Sequence, residues 1–215
     1  MWNADSTSSW WSKELARPDW VREHPRAPWG AVLAVCLGAF MGQLDASIVT
    51  LAFPRMQDEF HVPLADVQWV SLAYLGVLAV MLVPVGRWSD AHGRKLLYVY
   101  GFGLFTLASA GCGLAPSLGW LVAARAVQAL GAALLQANSV ALVVSSVNPA
   151  NARAALGVQA AAQALGLAAG PAAGGLLVDQ FGWRSVFWVN VPIGVLAIAV
   201  GLVLLPRSRD LATRG

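Results

Sequence analysis

The sequence is poor in charge. Only 12% of its 215 residues are Asp, Glu, Lys or Arg, about half the roughly 25% of an ordinary soluble domain. That shortage excludes soluble, disordered and collagen-like chains, none of which is so apolar and so weakly charged. Cysteine is nearly absent. Two residues, Cys36 and Cys112, cannot staple a small disulfide scaffold. The net charge of +3 is too small, in so apolar a chain, to point to nucleic acid. The three histidines, His24, His61 and His92, lie far apart in sequence, and none has a second ligand at metal spacing. No metal site is expected, and no nucleophile–base cluster suggests an enzyme. A Gly-x-x-x-x-Gly-Lys phosphate loop is also missing, so ATP is not the expected energy source.

What is present is hydrophobicity, at 58% of residues. It is gathered into six runs: Trp29–Ala52, Val67–Gly86, Leu96–Ala115, Gly119–Val144, Ala154–Val178 and Val186–Leu205. About 20 apolar residues cross the hydrocarbon core as a helix. Barrel strands would alternate over about ten residues, and nothing here alternates. An all-α membrane protein with six transmembrane helices is expected. Its organisation reads as a Trp-containing tail over 1–28, a bundle over 29–206 and a short tail over 207–215.

Basic residues set the orientation. With six spans, both termini share one side. That side collects Lys13, Arg17, Arg22, Arg26, Arg87, Arg94, Lys95, Arg153, Arg207, Arg209 and Arg214; the other holds only Arg55 and Arg184. Both ends are therefore placed in the cytoplasm. The first 28 residues lack the short apolar core and cleavage site of a signal peptide. Their tryptophans, Trp2, Trp10, Trp11 and Trp20, suit either an interfacial segment or a loose tail. Cys36 and Cys112 lie about 15 Å apart in depth at 1.5 Å per residue, beyond disulfide reach; both read as small apolar fillers.

The chain carries an internal echo. Gly86, Asp90, Gly93 and Lys95 follow the second run, and Gly175, Asp179, Gly182 and Arg184 repeat their spacing after the fifth. The first set falls on the cytoplasmic side and the second outside. Two inverted three-helix repeats are a known transporter plan. Residues alone leave the first loop either a capped, membrane-anchored turn or a latch between sliding helices.

Only Asp45 and Arg125 bring charge inside the runs. An ionised group there costs at least about 2.5–3.5 kcal/mol, so it has a partner or a task. Helix rise puts them about 12 and about 9 Å below the outer surface, on equivalent spans of the two triplets. Gln128 shares the face of Arg125. The pair is either a packing lock or a protonatable carboxylate whose pairing changes. In the fifth run, Ala162, Gly166, Gly170 and Gly174 form a smooth stripe, with Pro171 and Gly175 beside it. Such stripes permit close helix approach, which alone accounts for the glycines, and Pro171 is expected to kink the helix, which would then serve as a pivot or block a leak.

These segments resemble the major facilitator superfamily, and within it the amino-terminal half of the fourteen-helix drug:proton antiporters of the EmrB/QacA type. Leu44–Pro54 resembles that group's first-helix motif. Gly86–Lys95, with Gly86, Asp90, Gly93, Arg94 and Lys95, resembles the cytoplasmic loop motif. Arg125, Gln128 and Gly131 resemble the fourth-helix motif. Gly166, Gly170, Pro171, Gly174 and Gly175 match the fifth-helix antiporter motif, and Gly182–Pro192 resembles the segment after it. Ala91 departs from the usual basic residue and Ala129 from the usual glycine.

The resemblance implies one half of the major facilitator fold and alternating access driven by the proton gradient, without a cofactor. Asp45, Arg125 and Gln128 would couple protons to export of a drug-like or amphipathic small molecule through the plasma (inner) membrane. The loop motif would latch the cytoplasmic side. Six helices do not enclose a path between two halves. A second half or a homodimer is therefore expected, with an inactive fragment or a membrane scaffold as the alternatives.

Overall fold

The computed structural model describes residues 17–206. The expectations for 1–16 and 207–215, and so for most of both tails, lie outside them. Among the described residues, six helices are long and apolar enough to cross a membrane: α1 (Ala27–Phe60), α2 (Leu64–His92), α3 (Arg94–Gly113), α4 (Leu118–Ser146), α5 (Pro149–Phe181) and α6 (Ser185–Leu204). The described residues contain no strand. Before α1, one short helical turn at Asp19–Arg22 buries Val21 and exposes Trp20. Most helices overrun the apolar runs that announce them. Hydropathy marks only the part that lies in lipid, whereas backbone hydrogen bonding continues into polar sequence such as Phe53–Phe60.

Local breaks have local causes. Pro54 has no N–H to give Thr50, so α1 tightens to a 3-10 turn over Val49–Ala52 and Phe53 donates to Thr50 instead. Pro192 cannot donate to Trp188, and α6 is accordingly two pieces, Ser185–Trp188 and Asn190–Leu204. Helix α5, by contrast, runs unbroken through Pro171. The carbonyl orphaned there belongs to Leu167, on an exposed face. Ser117 caps α4 by accepting from Trp120 N–H at 3.3 Å.

The packing shows the expected inverted repeat. Exchanging α1, α2 and α3 for α4, α5 and α6 turns the α1–α5 contact into α4–α2 and the α1–α6 contact into α4–α3, and all four are present. The α1–α4 and α3–α6 contacts map onto themselves. Helices α1 and α4 are therefore central. Helices α2 and α5 are the least buried. One apolar cluster packs Val35, Met41, Tyr98, Phe102 and Leu142 on one side of the midplane, and another gathers Ile48, Met56, Cys112, Leu121 and Phe187 on the other.

Candidate functional site

Between the two clusters lies a buried polar network. Asp45 on α1 and Arg125 on α4 are each at most 1% exposed. Arg125 Nη1 donates to Asp45 Oδ2 at 2.6 Å and to Gln128 Oε1 at 2.7 Å. Gln128 Nε2 donates to Asp45 Oδ1 at 3.0 Å, and Asn190 Nδ2 on α6 reaches the same oxygen at 2.8 Å. The carboxylate thus holds three donors, the arrangement a buried charge requires. Arg125 Nε donates to the Val70 carbonyl at 3.2 Å, and its guanidinium lies 4.1 Å from the centre of the Tyr74 ring. Cys112 Sγ sits 3.7 Å from Gln128 Oε1. The sequence suggested a simple apolar filler there; the tertiary contact gives this thiol a polar neighbour. Both cysteines are free and buried.

Tyr74 also lines a cavity of about 250 Å³ bounded by α1, α2, α4 and α5, with Gly38, Gly42, Gln43, Gln136 and Gln163 on its wall. One tyrosine ring therefore separates the cavity from the ion pair. The amides of three glutamines give this largely apolar wall a few polar contact points.

The fifth-helix stripe faces α1. A Cβ at Gly166 would strike the Phe40 carbonyl, and one at Gly170 would strike Ser47. At Gly174 it would press on Leu51 and Ile48, at 2.8 and 2.9 Å. Gly175 has nothing within 4 Å, and Pro171 is exposed. The stripe is thus a contact surface, and its two motif partners point elsewhere. Ala129 is fully buried in the first apolar cluster, and Arg125 and Gln128 keep their bonds to Asp45.

The two echoed turns form reciprocal caps. Gly93 (φ 104°) and Gly182 (φ 78°) both need the positive φ that glycine tolerates. Lys95, at the start of α3, donates to the carbonyls of Leu202 and Leu205 at the end of α6, at 3.0 and 2.7 Å. Arg184, at the start of α6, donates to the carbonyl of Ala115 just past the end of α3, at 2.9 Å. Each cation satisfies carbonyls that a helix terminus leaves open. Arg184 also meets Glu59, which accepts from Trp183 Nε1 at 2.6 Å. Lys95 is 2% exposed and so points inward from the loop rather than outward. Asp90 and Arg94 form an exposed pair at 2.8 Å, and Gly86 packs only loosely, with Ala137 at 4.0 Å.

Lys95→Met should cost about 1–3 kcal/mol, because it strands the α6 carbonyls. Hydrogen exchange at the end of α6 should then rise. Asp90→Asn should cost less than about 1 kcal/mol, as exposed pairs do. Equal losses in a denaturation comparison would contradict this division of the loop.

Sequence reasoning named Asp45, Arg125 and Gln128 but missed Asn190, Ser109, Glu59 and Trp183. The available signal was a polar residue within an apolar run, as with Ser109, or at its edge, as with Asn190.

Two inverted helix triplets around a buried ion pair, with a small cavity beside the charge, make a six-helix membrane bundle. Residues 35–214 match the family model of the Major Facilitator Superfamily, and the chain belongs to that superfamily. It is 43% identical over 178 residues to the multidrug resistance protein Stp of Mycobacterium tuberculosis, covering 82% of this chain and 33% of that protein. It is 39% identical over 182 residues to the tetracenomycin C resistance and export protein of Streptomyces glaucescens, covering 85% and 34%. The chain thus spans about a third of the length of these relatives. In three dimensions it resembles a bacterial homologue of the human lysosomal transporter Spinster, crystallised inward-facing and unoccupied. That likeness has a TM-score of 0.65 at 21% identity and covers 84% of this chain and 43% of that one. The chain is accordingly a multi-pass membrane protein of a transporter family with drug-efflux members.

Proposed function

We propose that this chain forms the amino-terminal six-helix part of a proton-coupled exporter of drug-like, amphipathic molecules, of the fourteen-helix type its motifs resemble. The observation that carries the reading is the Asp45–Arg125 pair, buried beside a small, mostly apolar cavity. A carboxylate at that depth changes the charge of the core by one when it takes up a proton. Its attraction to Arg125 weakens at the same moment, which frees α1 to shift against α4. Tyr74, touching both the cavity and Arg125, puts cargo within reach of that change. The relatives named for drug resistance and tetracenomycin C export support the cargo class.

In this reading Asp45, Arg125 and Gln128 couple the proton. Asp90 and Arg94 latch the cytoplasmic end, and Lys95 fixes the helix they latch. Gly166, Gly170 and Gly174 keep α5 sealed against α1. Both termini face the cytoplasm of a cell whose plasma (inner) membrane holds the protein, as the eleven-to-two basic asymmetry suggests. Helices α2 and α5, the least buried, line the cavity together with α1 and α4. A second six-helix unit, from a further segment, another chain or a second copy, completes the path there.

Dye uptake by everted vesicles from cells producing the full chain tests the proposal. Uptake should follow an imposed pH gradient and stop when the gradient is collapsed. Asp45→Asn should reduce it to the level of vesicles lacking the protein. Proton-driven transport that survives Asp45→Asn would overturn the carboxylate's role. No uptake by the wild-type chain, even with a second half supplied, would favour a scaffold.

A further inference from the structure

Near the start of α6, Asn190 is fully buried against Asp45. Its Nδ2 donates to Asp45 Oδ1 at 2.8 Å and to Ser109 Oγ at 3.1 Å. Ser109 in turn donates to the Phe187 carbonyl at 2.9 Å, next to the break in α6. The Asn190 Oδ1 is buried and has no hydrogen-bond partner among the described residues.

That vacant acceptor matters because the donors around Asp45 suit only its charged form. A protonated Asp45 becomes a donor and needs an acceptor. Arg125 never offers one. Gln128 Oε1 is engaged by Arg125 and Cys112. Of the three side chains bonded to the carboxylate, only Asn190 holds a free acceptor. A half-turn of its amide about the soft, two-fold terminal torsion exchanges Nδ2 for Oδ1. Oδ1 then accepts from the new O–H, and the Ser109 hydroxyl can leave Phe187 to donate to it. One proton from water joins the carboxylate, and no other covalent bond changes.

The remaining neighbours do not supply this response. Arg125 faces Asp45 from α4, Tyr74 from α2 and Cys112 from α3; among the described residues these are the charged and titratable groups close to it. Helix α5 turns glycines toward α1. We propose that Asn190 is a positioning residue that reads the proton on Asp45: a donor to the carboxylate, an acceptor for the acid, with Ser109 passing the change to the break in α6. This rests on Asp45 being the proton carrier.

Infrared difference spectra of the full chain in lipid nanodiscs, titrated with acid, test it. Wild type should show the carbonyl band of a protonated carboxyl that Asp45→Asn lacks. In Asn190→Leu that band should appear about one pH unit higher, since the lost bond to the charged form is the stronger one. It should also move to higher frequency, because the acid O–H has lost its acceptor. Ser109→Ala should move both readouts the same way by less, and serves if Asn190→Leu does not fold. An Asp45 band unmoved in these variants overturns the role of Asn190 and leaves the proton carrier standing. A wild-type spectrum without any Asp45 band overturns the proton-carrier reading and this one with it.

Discussion

Arg125→Leu is expected to cost about 3–5 kcal/mol of stability, the usual penalty for stranding one partner of a buried ion pair. Asp45 would keep its donors from Gln128 and Asn190 but lose its counter-charge at zero exposure. The Val70 carbonyl and the face of Tyr74 would lose their cation as well. Unfolding in mixed detergent micelles, followed by circular dichroism, measures the loss. The double variant Asp45→Leu with Arg125→Leu should recover most of it, because the cost lies in the uncompensated charge rather than in a missing attraction. A single-variant loss below about 1 kcal/mol, the range of exposed pairs, would show that water reaches the site.

The second large effect separates two neighbouring features of one motif. Gly166→Leu should destabilise the bundle by at least about 1–3 kcal/mol, the range for overpacked cores. Its side chain would meet the backbone carbonyl of Phe40, and backbone gives way less readily than the end of a flexible side chain. Helix α5 would be pushed off α1, with increased cross-linking access along the seam. Gly175→Leu should stay within about 0.5 kcal/mol, since nothing lies within 4 Å of its Cβ direction. Denaturation curves of the two variants side by side decide the matter. Equal losses would mean that the motif acts through helix flexibility rather than through its contact face.

These two cases show what kind of information the sequence carries. The depth of Asp45 and Arg125 was legible because helix rise is fixed and the runs have clear outer ends. The glycine stripe was legible because a spacing of four puts residues on one face. Neither rule says which helix the face meets. That α5 packs on α1 follows from the inverted arrangement of the triplets.

The loop motif was the least legible. Its glycine turn and charges were visible, but the division of labour within it was not. Lys95 goes inward to cap α6, while Arg94, one residue earlier, stays near solvent with Asp90. Adjacent positions on a helix point about 100° apart, so a neighbour alone decides which of the two is buried.

By itself, then, the sequence determined six crossings, the two buried charges at one depth and the smooth face of α5. All of these follow from hydropathy and helical periodicity, which act along the chain. Only the tertiary structure decided that Asn190 and Ser109 join Asp45, that Lys95 and Arg184 cap each other's helices, and that Tyr74 stands between cavity and charge. Those contacts join residues 51 to 145 positions apart. They exist because lipid offers buried polar groups no water, and each had to find its partner on another helix.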